Sequence, residues 1–218
     1  MATLIDETAN NVDGVIVGNP TTQAGVIGNS MGFDGFNDYV TLPDVPTMRP
    51  SVFTVTGWIN SIYTGSVQDI LSSYSQESSI VSGFDIKVRD TGIVQITIGS
   101  NTGITPNIDF ANCTGVTPVD DGEWHFIAGT YDGTNIVVYV DGIEDASTPY
   151  ANGCVYATPN YVAISARKTT AADPYKNLRE VLTKVGSSSA VSSNSSQEYN
   201  SPSKYRKKLT TEYGGSQR

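Results

Sequence analysis

The side chains able to do chemistry are few, and their spacing argues against most of it. His125 is the only histidine in 218 residues, so a Ser-His-Asp triad has one base to draw on and a histidine-rich metal centre cannot be assembled. It stands beside Trp124 in an alternating apolar run, where a structural role is the simpler reading. Glycoside hydrolysis needs two carboxylates flanking the scissile bond. No E-x-D-x-x-E strand supplies them, and the nearest approach, Ile143-Glu144-Asp145, follows a turn. Two cysteines, Cys113 and Cys154, flank the central hairpins. An even count permits one disulfide, and a Cys113–Cys154 bridge is expected to tie the loop before Asp121 to the loop after Ala151. Such a bridge implies an oxidising destination.

The elements that would position these groups centre on Asp121 to Ala146, DGEWHFIAGTYDGTNIVVYVDGIEDA. Trp124, Phe126 and Ala128 alternate with His125, Ile127 and Gly129 before Asp132-Gly133; Ile136, Val138 and Val140 alternate with Val137 and Tyr139 before Asp141-Gly142. Period-two placement between Asp-Gly pairs is a strong hairpin signal, because glycine takes positive φ without steric cost. Further strands are expected near residues 14–17, 30–33, 39–42, 53–62, 69–74, 83–89, 93–98, 107–110, 124–131, 136–140 and 161–165. Many short strands joined by tight turns predict an all-β, antiparallel two-sheet sandwich. Trp58, Trp124, Phe53, Phe84, Phe126 and Tyr139 are expected to fill the space between its sheets.

Three segments in order, GFDGFNDYV, FTVTGWI and DDGEWHFIAGTYDGTNIVVYVDG, resemble the laminin-G-like domains of the concanavalin A-like jelly-roll superfamily, over about residues 5–166. The resemblance implies a jelly roll, and calcium as cofactor. Asp6, Asp34, Asn37 and Asp38 fall in stretches similar to the family's ion-binding region, where hard cations take loop oxygens. The same residue types also cap their own turns without any ion. Together with exposed aromatics, the resemblance also points to glycan binding, with Tyr63, Tyr74, Tyr150 and Tyr156 as candidate stacking rings.

Charge divides the chain. Residues 1–166 hold 3 Lys and Arg against 18 Asp and Glu, a net of −15, whereas residues 167–218 hold 10 against 4, a net of +6. An acidic body excludes nucleic acid as its ligand. No apolar run approaches the ~20 residues that span a bilayer, and the N-terminal MATLIDETANN lacks the pattern of a secretory signal. The expected division is therefore a jelly roll over residues 1–175 and a basic, Ser-rich tail over 176–218. In that tail Leu178, Val181, Leu182 and Val185 have the spacing of one helical face, followed by a run that reads as disordered. Alternatively, codons shifted by one boundary between Val181 and Ser192 can encode I-D-E-x-R-I-F-x-x-x-L, which resembles the closing strand that such domains carry.

Two functions from different classes follow. One is a non-catalytic recognition module for carbohydrate or a surface protein. The other is a structural decoration or fibre component of a virion or other assembly, favoured by the missing signal and atypical ends. Both place the protein outside cells or on a particle surface. Edge strands left open by the altered ends offer pairing to another copy of the chain.

Overall fold

Glycine-bearing turns set the strand order. In the computed structural model, which describes residues 2–77, 80–100, 109–167, 176–177 and 181–184, Asp141 and Gly142 have φ of 52° and 81°, the paired positive values that a two-residue hairpin turn requires. Asp132 Oδ1 accepts the N–H groups of Thr134 and Asn135 at 2.8 and 2.6 Å, closing the preceding turn.

The first strands are β1 (Thr3–Leu4), β2 (Gly14–Val17), β3 (Thr21–Ala24), β4 (Asn29–Gly32), β5 (Tyr39–Leu42) and β6 (Phe53–Ile62). Next come β7 (Gln68–Ser72), β8 (Ser75–Glu77), β9 (Ile80–Val88), β10 (Ile93–Ser100), β11 (Phe110–Pro118) and β12 (Asp121–Tyr131). The chain continues through β13 (Asn135–Val140), β14 (Ile143–Pro149), β15 (Val162–Ile164), β16 (Ala166–Arg167), β17 (Lys176–Asn177) and β18 (Val181–Lys184). One sheet runs β1-β2-β5-β15-β7-β9-β10-β11, with β8 on β9; the other runs β14-β13-β12-β6-β18-β4-β3. Every pairing is antiparallel within these two sheets and in the small β16-β17 ribbon. The expected all-β sandwich is what forms. No helix among the described residues is long and apolar enough to cross a membrane.

Register fixes which side chains meet. Leu71, Ile86, Ile96 and Cys113 align across β7, β9, β10 and β11 and face the core, while Ser72, Asp85, Thr97 and Asn112 form the adjacent row on the opposite face. A one-residue slip would exchange the two rows, so burial of the aliphatic row specifies the pairing. The second sheet answers with Ile59, Ile127, Tyr131, Ile136, Val138 and Val140. Gly129 lets the layers close, since a Cβ there would lie 3.0 and 3.1 Å from the Cδ1 atoms of Ile96 and Ile86.

Three expectations need correction. Trp58 and Phe126 do not fill the space between the sheets: Ile59 and Ile127 take the inner phase of the alternation, and the two rings pack on the outer face with centroids 5.4 Å apart. Trp58 is nevertheless 9% exposed. The strand expected to end at Phe110 begins there, and it read as a loop because Asn112, Thr114, Gly115 and Pro118 punctuate an edge strand with only two buried positions. Residues 181–184, expected on a helical face, form a strand inserted between β6 and β4, with Leu182 opposite both Asn60 and Gly32. Two neighbours supply its backbone partners, which outweighs a four-residue apolar spacing. Residues 178–180 and 185–218 of the expected tail lie outside the described residues.

Candidate ligand-binding cleft

The turn between β4 and β5 is built by its own carboxylates. Asp34 Oδ1 accepts N–H groups from Phe36, Asn37 and Asp38 at 2.8, 3.1 and 3.3 Å, and these bonds, that from Phe36 foremost, hold the carboxyl below its usual range. Asp38, only 4% exposed, accepts the Asn19 N–H at 2.6 Å on Oδ1 and the Asp34 N–H at 3.3 Å on Oδ2. Gly18 permits this approach: its φ is +81°, and a Cβ would stand 2.2 Å from Asp38 Oδ1.

These loops and the ends of β3, β4 and β6 enclose an open cleft of about 620 Å³. Its polar lining comes from Asn19, Thr21, Gln23, Asn37 and Asn60 beside Asp34 and Asp38, with Phe33 and Ile62 as apolar patches. Asn60 is steered by its Nδ2, which donates to the Gly122 carbonyl at 2.7 Å. Ile62 is 47% exposed, and Tyr63, which follows it in the chain, is 69% exposed. Carboxamides, a hydroxyl and the exposed side chain of Ile62 suit a polyhydroxylated ligand with apolar C–H faces.

The structure brings Asp34, Asn37 and Asp38 into this one cleft, but not Asp6. Asp6 closes a separate turn, accepting from the Val12 and Thr8 N–H groups at 2.8 and 2.9 Å and from the Thr8 hydroxyl. It lines a different, more apolar groove with Leu4, Phe53 and Phe84. The expected four-residue ion site is therefore not assembled. Among the described residues no group of three or more His, Cys, Asp or Glu could hold a metal ion, and Asp34 Oδ1 and both Asp38 oxygens accept backbone N–H groups.

Of the four candidate rings only Tyr63 is exposed. Tyr74 is 9% exposed and packs beneath the Arg167 guanidinium, 5.6 Å from the ring centroid. Tyr150 is 8% exposed; its hydroxyl donates to Ser100 Oγ at 2.9 Å, and burial pushes its pKa up to about 12. Tyr156 donates to the Pro50 carbonyl at 2.8 Å and meets Phe84 edge-on.

The disulfide is also corrected: Cys113 and Cys154 are both free thiols. Cys113 points into the core from β11 opposite Ile96, whereas Cys154 lies beyond β14 beside Tyr156. Burial raises both thiol pKa values, that of Cys154 to about 11. His125 is held between Asp141 and Asp121, at 2.9 Å from Nδ1 and 3.2 Å from Nε2.

A second polar cluster was not singled out from the sequence. On the face of the first sheet turned away from the core, Lys87 Nζ donates to both oxygens of Asp85 at 2.9 and 3.0 Å and to Thr97 at 2.9 Å. Arg167 comes within 3.7 Å of Asp69 and 3.6 Å of Asp85. Asp69 and Asp85 are fully buried, yet neither Asp69 oxygen has a hydrogen bond. Burial, then the Asp85 charge, push the Asp69 pKa up to about 7, against the opposing pull of Arg167 and Lys87. The signal lay in Asp85-Ile86-Lys87-Val88, charge alternating with aliphatic residues, which marks a strand whose outer face carries charge.

Residues 33–177 match the laminin-G family model described as the concanavalin A-like lectin/glucanases superfamily. No curated protein matches the sequence. Among solved structures, the binding domain of botulinum neurotoxin serotype G aligns with TM-score 0.61 and 14% identity, covering 83% of this chain and 44% of that one. The botulinum neurotoxin DC binding domain in complex with SialylT aligns with TM-score 0.58 and 11% identity, covering 82% and 42%. The binding domain of Paraclostridial Mosquitocidal Protein 1 gives 0.55 and 11%, covering 84% and 47%. The chain thus spans less than half the length of each. At these identities the likeness is one of fold.

Proposed function

The chain belongs to the concanavalin A-like lectin/glucanases superfamily, and from that premise we propose that it is a non-catalytic recognition module whose cleft takes a carbohydrate. The observation that carries this reading is the cleft itself, where Asn19, Thr21, Gln23, Asn37 and Asn60 surround the apolar patches of Phe33 and Ile62. Tyr63, the next residue in the chain after Ile62, is exposed. Among the described residues the carboxamides of Asn19 and Asn37 make no hydrogen bond of their own, so sugar hydroxyls can take them without breaking one of those bonds. The neighbours agree in kind: one was solved in complex with SialylT and another in complex with rat synaptotagmin II. Catalysis is disfavoured because the buried carboxylates Asp69 and Asp85 face Lys87 and Arg167, an arrangement that holds charge in place rather than offering an acid and a base to a substrate. The natural setting of such a module is an extracellular surface.

The test is a glycan array probed with the full chain, followed by calorimetry on the strongest hit. Asn37→Ala and Ile62→Ala should each weaken binding about fivefold to tenfold, the scale of one hydrogen bond or one apolar contact. Binding to no glycan, or binding indifferent to both substitutions, would remove the reading.

A further inference from the structure

We propose that β18 is a strand clasp that builds the cleft, so that ligand binding is coupled to insertion of the C-terminal segment between β4 and β6. The ligand half of this inference rests on the carbohydrate reading of the same site. The two walls of the cleft come from different parts of one sheet: Thr21, Gln23, Gly32 and Phe33 lie on or just after β3 and β4, whereas Asn60 and Ile62 lie on β6. Among the described residues these strands are not neighbours. The sheet order is β6-β18-β4-β3, and β18 joins the two walls within it. Leu182 stands opposite Asn60 on one side and Gly32 on the other. Strands in a sheet lie ~4.8 Å apart, so interposing one holds Asn60 and Gly32 roughly 10 Å from each other. This role belongs to the backbone of β18, which pairs on both sides.

The clasp is short. β18 has 4 residues, of which Leu182 and Thr183 pair with β4, whereas the ladder between β6 and β12 runs from Asp121 to Tyr131. A strand with so few ladder bonds opens locally at a smaller free-energy cost than the long strands beside it. Opening strips partners from backbone groups of both β4 and β6, and it frees the β3–β4 wall from Asn60 and Ile62. The Asn19 and Asp34 N–H groups bonded to Asp38 fix the β4–β5 turn to the end of β2, but they leave the distance to β6 to be set by β18. A ligand that spans the two walls binds the closed arrangement alone. It therefore stabilises insertion by as much as insertion favours the ligand.

The experiment uses the full chain, with amide hydrogen exchange as one readout and calorimetry on its strongest array glycan as the other. Leu182→Pro removes a ladder N–H from a strand paired on both sides, whereas Leu182→Val keeps the N–H and a strong strand propensity. Leu182→Pro should speed exchange in β4 and β6 and weaken the glycan, each at least about tenfold, the scale of one lost backbone bond. Exchange in β9 and β10 should not change. Leu182→Val should stay within about threefold of the parent in both readouts. A synthetic peptide of residues 178–188 should restore protection and binding to Leu182→Pro by entering the vacated slot. In the parent, the glycan should slow exchange in β4 and β6. Unchanged protection of those strands in Leu182→Pro overturns the inference, as does an unchanged glycan affinity once that protection is lost. Loss of protection in β9 and β10 as well, with no rescue by the peptide, also overturns it, since the strand would then support the whole fold rather than the cleft. If no glycan binds the full chain the carbohydrate reading falls, and the exchange and peptide results alone decide whether β18 is the clasp.

Discussion

Replacing Asp69 by Asn should stabilise this protein, and only where the aspartate would be ionised. Asp69 is fully buried, with neither oxygen hydrogen-bonded, and its pKa stands at about 7 against an ordinary 3.8, from burial first and the Asp85 charge second. The folded state therefore holds this proton about a thousandfold more tightly than the unfolded chain does, which corresponds to about 4 kcal/mol. The sign follows from proton counting. Between about pH 4 and pH 7 the native state binds more protons than the unfolded state, so this group's contribution falls as pH rises and levels off above pH 7. Asparagine imitates the protonated form at every pH. Urea unfolding followed by tryptophan fluorescence should give nearly equal stabilities for the two proteins at about pH 4, and an advantage for Asp69→Asn approaching 4 kcal/mol by about pH 8.5. Comparing the variant with its parent cancels the other titrating groups. Asp85→Asn should do the opposite: Asp85 is the carboxylate that Lys87 contacts with both oxygens, and stranding that buried cation should cost about 3 kcal/mol or more. A variant at Asp69 that is less stable than its parent at alkaline pH, or an advantage independent of pH, would refute this reasoning.

Four other outcomes are expected. Gly18→Ala combines a left-handed φ with a Cβ 2.2 Å from Asp38 Oδ1, and should cost about 2 kcal/mol in chemical unfolding while weakening ligand binding through the displaced Asn19–Asp38 contact. Because both cysteines are free, thiol titration of the unfolded protein should count both without prior reduction, and a reducing agent should leave the melting temperature unchanged. A chelator should not reduce glycan binding, because Asp34 Oδ1 and both Asp38 oxygens are engaged by backbone N–H groups; loss of binding in chelator, restored by calcium, would overturn that expectation. Sequencing the gene through the codons of Val181 to Ser192 tests the shifted frame, and codons unable to spell I-D-E-x-R-I-F remove it.

The parts of the fold that the sequence displayed are those where one face is buried and the other wet. β6, β12 and β13 alternate, and Asp-Gly turns follow β12 and β13, so their existence was legible, although β12 begins three residues before the expected 124. Phase was harder to read. In β6 both Trp58 and Ile59 are large and apolar, and pattern alone cannot say which faces inward when the outer face is also covered. The same ambiguity hid Asp69 and Asp85, since charged residues are expected at the surface and these are compensated by Arg167, about a hundred positions away in sequence. The cleft was half legible. Asp34, Asn37 and Asp38 lie together in sequence, but Asn19, Gln23 and Asn60 reach them only through the pairing of β3 with β4 and of β18 with both β4 and β6.

The two acidic sites show why burial and charge must be considered together. In the sheet, Asp69 and Asp85 have little backbone N–H within reach, because the strands use those groups on each other, and so their charge is met by Lys87 and Arg167. In the β4–β5 turn the N–H groups are free of any ladder, and Asp34 and Asp38 take four of them, with a fifth from Asn19 between β2 and β3. Dipoles stabilise an anion without cancelling its monopole, whereas a salt bridge does both. A carboxylate held by a turn therefore keeps its field directed at the solvent, and one held by a cation does not. That difference separates the two sites: the turn carboxylates Asp34 and Asp38 are stabilised by dipoles, while those on the sheet face meet Lys87 and Arg167.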